Sequence, residues 1–318
     1  MEMLQYAILI FISLIILISY FVYHRSFSAT IIEMIVNFIQ IKKLSNNKKI
    51  YNQYIKLKNK EEEINFVLPK FVCSSKIEEE KVNDYQVFNI SKNKNYKTII
   101  LYLHGGSYIQ QPLIFHWTFC DKLAKDLNAK VIVPIYPLAP KHNWKEAYSL
   151  IEEIYANVLK EKNKKVIIMG DSAGGGMALG FCKYLSKKKM KQPSKLILIS
   201  PWLDITMSND KIKNFDSKDP FLSVYALKKA GELWAGNLKT SNYKLSPKNG
   251  SLKDIKNVYL FVGTREIFYP DILEFFQKLK KKKIKSQLFV GEGLNHVYPL
   301  HPIPEAKKAY KEILKIID

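Results

Sequence analysis

Val166-Ile167-Ile168-Met169-Gly170-Asp171-Ser172-Ala173-Gly174-Gly175-Gly176 is the stretch on which the reading of this chain turns. Four apolar, mostly β-branched residues read as a buried strand, and the residues from Ala173 to about Ser186 read as a helix. Between them stands Gly-x-Ser-x-Gly, a spacing that puts a serine on a sharp strand-to-helix turn, with glycines leaving room for the backbone. The motif alone is common by chance, and the strand-turn-helix setting is what makes Ser172 a candidate nucleophile. A phosphate-binding glycine loop would need a Lys-[Ser/Thr] pair after the glycines, and none follows.

A nucleophilic serine needs a base to take its proton and an acid to orient that base. In a chain of this kind the order is serine, acid, histidine. Downstream of Ser172 the histidines are His296 and His301. His296 ends Gly293-Leu294-Asn295-His296, just past the last expected strand, whereas His301 lies between Leu300 and Pro302 in a Pro-rich loop; His296 is the expected base. The acid should follow the expected strand Val258 to Val262, in Gly263-Thr264-Arg265-Glu266-Ile267-Phe268-Tyr269-Pro270-Asp271. Glu266 lies in the loop. Asp271 follows Pro270 at a helix start, where a carboxylate serves free amides and the dipole, and it stays open as the alternative acid. Upstream, His104-Gly105-Gly106-Ser107-Tyr108 follows the expected strand Thr98 to Leu103, and its small residues let amides approach a developing oxyanion. Gly105, Gly106 and Ala173 are the expected oxyanion donors, and His104 is expected to have a structural role.

Outward from these motifs, short apolar runs alternate with helical stretches. Strands are expected at Tyr85 to Ile90, Thr98 to Leu103, Val131 to Ile135, Val166 to Met169, Leu196 to Ser200, Val258 to Val262 and Gln287 to Val290. Helices are expected near Trp117 to Leu127, Lys145 to Glu161, Ala173 to Ser186, Asp271 to Lys282 and Pro304 to Ile317. Such alternation implies βαβ crossovers and a mostly parallel sheet covered on both faces, an α/β fold. The rhythm breaks between Pro201 and Asp254, where a segment with its own helix near Tyr225 to Gly236 reads as an insertion.

The chain begins differently. Leu4 to Tyr23 is an uncharged, largely apolar run long enough for a bilayer-spanning helix. With Met1-Glu2-Met3 before it and His24-Arg25 after it, the run reads as an uncleaved anchor rather than a signal peptide. Arg25, Lys42, Lys43, Lys48 and Lys49 follow the run and no Lys or Arg precedes it, which would place the body in the cytoplasm. From Phe27 to Lys60, apolar positions at helical spacing suggest one or two amphipathic helices lying on a bilayer surface or folded over the body as a lid. The expected organisation is an anchor over 1–25, cap or linker helices over 26–80, and a catalytic domain over 81–318 with a cap insertion at about 205–250.

Composition sets limits on partners. With 318 residues, 47% hydrophobic and 25% charged, the chain can build one large core and is not disordered as a whole. Its formal charge of +21 comes almost entirely from lysine, with Arg25 and Arg265 the only arginines. Base readout and bidentate phosphate recognition lean on arginine, so nucleic acid is not an expected partner. Cys73, Cys120 and Cys182 are too few and scattered for a disulfide scaffold, and no Cys-x-x-Cys offers a zinc site.

Taken together, residues 98 to 318 resemble the hormone-sensitive-lipase-like family of α/β-hydrolases. His104-Gly105-Gly106-Ser107 is similar to that family's His-Gly-Gly-Gly oxyanion signature, with Ser107 in place of the third glycine. Tyr136-Pro137-Leu138-Ala139-Pro140-Lys141-His142 resembles its Tyr-Arg-Leu-Ala-Pro-Glu-His segment, and Ser200-Pro201-Trp202-Leu203-Asp204 its Ser-Pro-Trp-Leu-Asp run. Gly170 to Gly175 resembles its nucleophile elbow, and Glu266 falls on the first aspartate of its Asp-Pro-Leu-x-Asp motif. The resemblance implies an α/β-hydrolase fold and a helical cap over Ser172, built from residues 27–60 and 205–250, that shapes the acyl pocket. The expected activity is hydrolysis of carboxylic esters, short-to-medium acyl or lipid-like, on a Ser172–His296–Glu266 triad with no cofactor or metal. An amidase or peptidase on the same residues and a non-catalytic ligand-binding protein are the alternatives.

Overall fold

A computed structural model describes residues 2–60, 65–69 and 72–318, without the side chains of residues 2–4 and 6–9. Four helices come first: α1 (Glu2–Phe21), α2 (Phe27–Ile39), α3 (Ile41–Asn46) and α4 (Lys48–Lys60). The one or two helices expected after the apolar run are therefore three. Gln40, in the left-handed region at φ 58°, and extended Asn47 interrupt the helical path without breaking the apolar spacing that the sequence shows. Ser26 caps α2 by accepting from the Ala29 amide.

The body then alternates: β1 (Lys76–Val82), β2 (Tyr85–Ser91), β3 (Thr98–Leu103), α5 (Ile114–Asp126), β4 (Ala129–Pro134), α6 (Trp144–Lys160), β5 (Lys165–Asp171), α7 (Ser172–Lys187) and β6 (Lys195–Ile199). After β6 come the short α8 (Lys213–Asp216) and α9 (Val224–Ala235), then β7 (Val258–Gly263), α10 (Tyr269–Lys281), β8 (Ser286–Gly291) and α11 (Pro304–Ile317). The eight strands form one sheet in the order β1-β2-β4-β3-β5-β6-β7-β8. β1 and β2 pair antiparallel, β2 joins β4 antiparallel, and every pairing from β4 to β8 is parallel. All seven expected strands are present. β1 is the addition: it reads Lys-Ile-Glu-Glu-Glu-Lys-Val, is largely exposed, and carries on the sheet's edge the charges that discourage pairing with another chain.

Alternate strand residues feed two cores, because successive side chains point to opposite faces. On β3, Ile99, Leu101 and Leu103 enter one core while Ile100 and Tyr102 enter the other. The first core extends to Tyr51 and Ile55 of α4 and to Ala226, Leu227, Ala230 and Trp234 of α9, so α4 and the insertion pack on the same side, whereas Ala29 of α2 enters the second core. Side chains join α3 and α4 to the insertion further: Ser223 Oγ to Asn46 at 2.6 Å, Tyr225 Oη to Asn52 at 3.2 Å, and Lys42 Nζ to the Asp219 carbonyl at 3.0 Å.

The expected transmembrane anchor is not found. Among the described residues no helix is long and apolar enough to cross a membrane. Part of the Leu4 to Tyr23 run on which that expectation rests, residues 4 and 6–9, lies outside the described side chains. At its far end the run turns back on α2: the Arg25 amide donates to the Ser19 carbonyl at 3.0 Å, and buried Ser19 Oγ donates to Thr30 Oγ1 at 2.8 Å.

Candidate active site

β5 ends at Asp171, and α7 starts at once with Ser172, whose backbone stands in the left-handed region at φ 51°. That turn needs bare backbone on its inner side. A Cβ on Gly174 would stand 2.0 Å from the Leu103 carbonyl oxygen of β3, a separation no packing allows, so only glycine lets the helix start this close to the neighbouring strand. Ser172 itself is 5% exposed.

The loop after β8 brings His296 to the serine, with Nε2 2.9 Å from Ser172 Oγ. Its other ring nitrogen, Nδ1, lies 2.5 Å from Glu266 Oε2, in the loop after β7. Glu266 is fully buried, and its second oxygen accepts from Ser200 Oγ at 2.7 Å and the Gly263 amide at 2.8 Å. Ser200 in turn accepts from the Val297 amide at 3.0 Å, tying the acid's support to the histidine's neighbour. Burial by itself lowers the imidazole pKa, but the Glu266 carboxylate, helped by Asp219 and Asp171, raises it above the ordinary value of 6.5.

Asp271 stands elsewhere. In the first turn of α10 it accepts from Asn209 Nδ2 at 3.0 Å and Lys248 Nζ at 3.3 Å, and Lys248 also reaches Asp204 at 2.6 Å. It fastens the insertion to α10, so the structure brings Glu266 and not Asp271 to the histidine. His301 packs against Phe221 with ring centroids 5.7 Å apart and planes tilted by 32°, and burial with nearby His296 lowers its pKa to about 4.

The glycine turn after β3 meets the elbow through Asp171. Its Oδ1 accepts from Tyr102 Oη at 2.7 Å and from the Gly105 amide at 3.0 Å, and its Oδ2 lies 3.3 Å from His116 Nε2. The Gly105 N–H, an expected oxyanion donor, is therefore already occupied. Gly106, at φ 117°, has no protein acceptor for its amide among the described residues, and the Ala173 amide lies in the first turn of α7, where helical amides lack partners. Of the three expected donors, these two amides have no acceptor among the described residues. His104 does not face the serine: Nδ1 lies 2.6 Å from the Gly105 carbonyl, the ring stacks on Tyr136 at 4.2 Å, and burial, with His116 nearby, lowers its pKa to about 3.

Three supporting residues escaped the sequence reading. Ser200 stood in a quoted motif, yet nothing in its spacing says that its hydroxyl reaches Glu266. Buried Asp219 accepts from the Phe221, Leu222 and Ile267 amides at 2.8, 2.9 and 2.9 Å, holding the residue next to the acid, and burial raises its pKa to about 6 against the pull of His296 and those amides. Glu33, which accepts from Arg265 Nε and Nη2 at 3.1 and 2.7 Å next to Glu266, did carry a signal: it is the one charged residue in the apolar helix Phe27–Ile39.

Residues 100–300 match the family described by the α/β-hydrolase fold. An esterase of Acinetobacter venetianus is 30% identical over 220 residues, covering 68% of this chain and 73% of that protein. A Staphylococcus aureus protein assigned as an esterase has a crystal structure that matches with a TM-score of 0.78 at 30% identity, over 85% of this chain and 92% of that one. The hormone-sensitive-lipase homologue EstE7 from a metagenome library, 21% identical, shares the fold at a TM-score of 0.76 over 91% of this chain and 97% of its own. The sheet order, the elbow and these likenesses agree, and the chain belongs to the α/β-hydrolase fold family.

Proposed function

We propose that the protein hydrolyses carboxylic esters through an acyl-enzyme on Ser172, with His296 as base and Glu266 as the acid that orients it. The observation that carries this reading is the unbroken chain Ser172 Oγ, His296 Nε2, His296 Nδ1, Glu266 Oε2, with contacts of 2.9 and 2.5 Å. His296 takes the serine proton as Oγ bonds to the ester carbonyl carbon, and the carbonyl electron pair moves onto its oxygen, facing the Gly106 and Ala173 amides. When the carbonyl re-forms, the C–O bond to the alcohol breaks and the imidazolium gives the alkoxide its proton. Water then repeats the sequence on the acyl-serine and releases the acid. Glu266 keeps the proton of the resting imidazole on Nδ1, leaving Nε2 to accept.

Buried aromatic rings back the elbow, where Tyr108 Oη donates to the Ala173 carbonyl at 2.8 Å. Tyr108 lies parallel to Trp234 at 4.3 Å and stacks on Trp202 at 5.6 Å, while Phe268 stands edge-on to His296 at 5.2 Å. The test is hydrolysis of a chromogenic ester series from acetyl to palmitoyl, with matched amides alongside. Ser172→Ala should lower turnover by about 10,000-fold or more, and Glu266→Gln by about 1,000-fold, whereas Asp271→Asn should stay within a few-fold. Substantial turnover by Ser172→Ala would remove the acyl-enzyme, and amides cleaved faster than esters would move the function to the amidase.

We also infer that the N-terminal helices lie against an anionic lipid surface without crossing it. Supporting this, Ile10, Phe11, Leu14 and Leu17 of α1 and Met34, Ile35 and Phe38 of α2 are exposed, and Lys43, Lys48 and Lys49 follow closely in the chain.

A further inference from the structure

The two arginines of this chain lie 240 positions apart in sequence and meet on one carboxylate. Glu33, on the buried side of α2, is paired with Arg25 Nη1 and receives a two-pronged contact from Arg265, Nε to Oε2 at 3.1 Å and Nη2 to Oε1 at 2.7 Å. Asn295 Nδ2 donates to the same Oε2 at 3.2 Å. Arg25 also donates from Nη1 to the Gly293 carbonyl at 3.0 Å, and both guanidiniums lie over the Tyr23 ring, at 4.8 and 5.2 Å. Burial alone would raise the Glu33 pKa, but the two guanidiniums lower it below the ordinary value, so the carboxylate is charged when it makes these contacts.

The placement of these contacts gives them meaning. Arg265 immediately precedes Glu266, and Asn295 immediately precedes His296. Between the two loops themselves, the Arg265 amide donates to the Leu294 carbonyl at 3.0 Å. One carboxylate on the cap thus grips the residue before the triad acid and the residue before the triad base. A fork of two parallel N–H bonds fixes direction as well as distance, which a single lysine contact would not.

We propose that Glu33 is a positioning residue that sets the spacing of the Glu266 and His296 loops, so that the N-terminal cap segment is a working part of the triad. The proposal rests on the triad assigned above. Without the Glu33 charge, Arg265 loses its partner beside the site and the loops keep fewer contacts between them. Substrate binding is left alone, because Glu33 touches neither Ser172 nor the oxyanion amides.

The experiment uses the full chain and an ester that Ser172→Ala does not turn over. Glu33→Gln should lower kcat about 10- to 100-fold, the scale of a small misplacement of reacting groups, with KM within about twofold. It should also move the acidic limb of the kcat/KM profile to lower pH. That limb belongs to His296, which faces Glu266, Asp219, Asp171 and His301, and an uncompensated Arg265 would disfavour its charged form. Arg265→Lys keeps the charge and the Arg25–Glu33 pair but loses the fork, and should show a smaller kcat loss of the same kind. Folded Glu33→Gln with unchanged kcat and pH limb overturns the proposal. Should that variant fail to fold, Arg265→Lys decides alone, and wild-type kcat with it overturns the proposal equally. Retained turnover by Ser172→Ala would instead show that the triad reading had failed, and the clamp with it.

Discussion

Both oxygens of Glu266 are filled, one by His296 and the other by Ser200 and the Gly263 amide, so its side chain has one orientation available. An amide there would turn N–H groups toward a donor whichever way it flipped, which is why Glu266→Gln should cost far more than its small change in size suggests. Asp219 acts at longer range. His296 must be neutral to accept the serine proton, and its pKa is raised, so activity should fall as pH drops through a value above 6.5. Asp219→Asn removes a charge that favours the imidazolium, while either flip turns its N–H groups toward amide donors, that of Ile267 or those of Phe221 and Leu222. Its kcat/KM profile should therefore hold to lower pH than wild type, with a lower thermal midpoint from the unmatched donors. A limb that stays in place would show that Glu266 alone sets the base.

The elbow is the element on which the site depends, and its tolerance is small. Gly174→Ala would press a methyl group into the Leu103 carbonyl, which cannot withdraw without breaking the β3–β5 ladder. The expected outcome is loss of soluble protein, or a thermal midpoint lowered by about 10 °C, read by circular dichroism. The same element explains what was legible beforehand. Strands buried on both faces show as unbroken apolar runs, and the catalytic motifs sit at their ends, so Ser172, His296 and the loop carrying Glu266 were readable from spacing. β1 has neither signal: exposed, charged and paired on one side, it reads as a polar patch until the sheet is seen. The breaks at Gln40 and Asn47 depend on single backbone angles, which apolar periodicity does not register. Gly105 lies in the turn as expected, but its amide is held by Asp171, a contact between that turn and the end of β5, 66 positions away.

Across the whole molecule, charge and apolar surface are unevenly shared. The +21 excess is spread widely as lysine, whereas exposed large apolar side chains gather on the N-terminal helices. Sedimentation with vesicles should show the full chain binding anionic lipid, weakening as salt rises, with Ile35→Glu plus Phe38→Glu releasing it and turnover of a soluble ester unchanged. Equal partition to neutral and anionic vesicles, or none to either, would remove the lipid surface as the partner. The scarcity of guanidinium groups has a separate consequence. A dicarbonyl reagent selective for arginine has two targets in the entire chain, both on Glu33. Arg25 is 1% exposed and Arg265 20%, so Arg265 should react first. A single added label, located by peptide mass mapping, therefore becomes a reporter of whether α2 is seated on the loops that carry Arg265 and Asn295, without any residue having to be replaced.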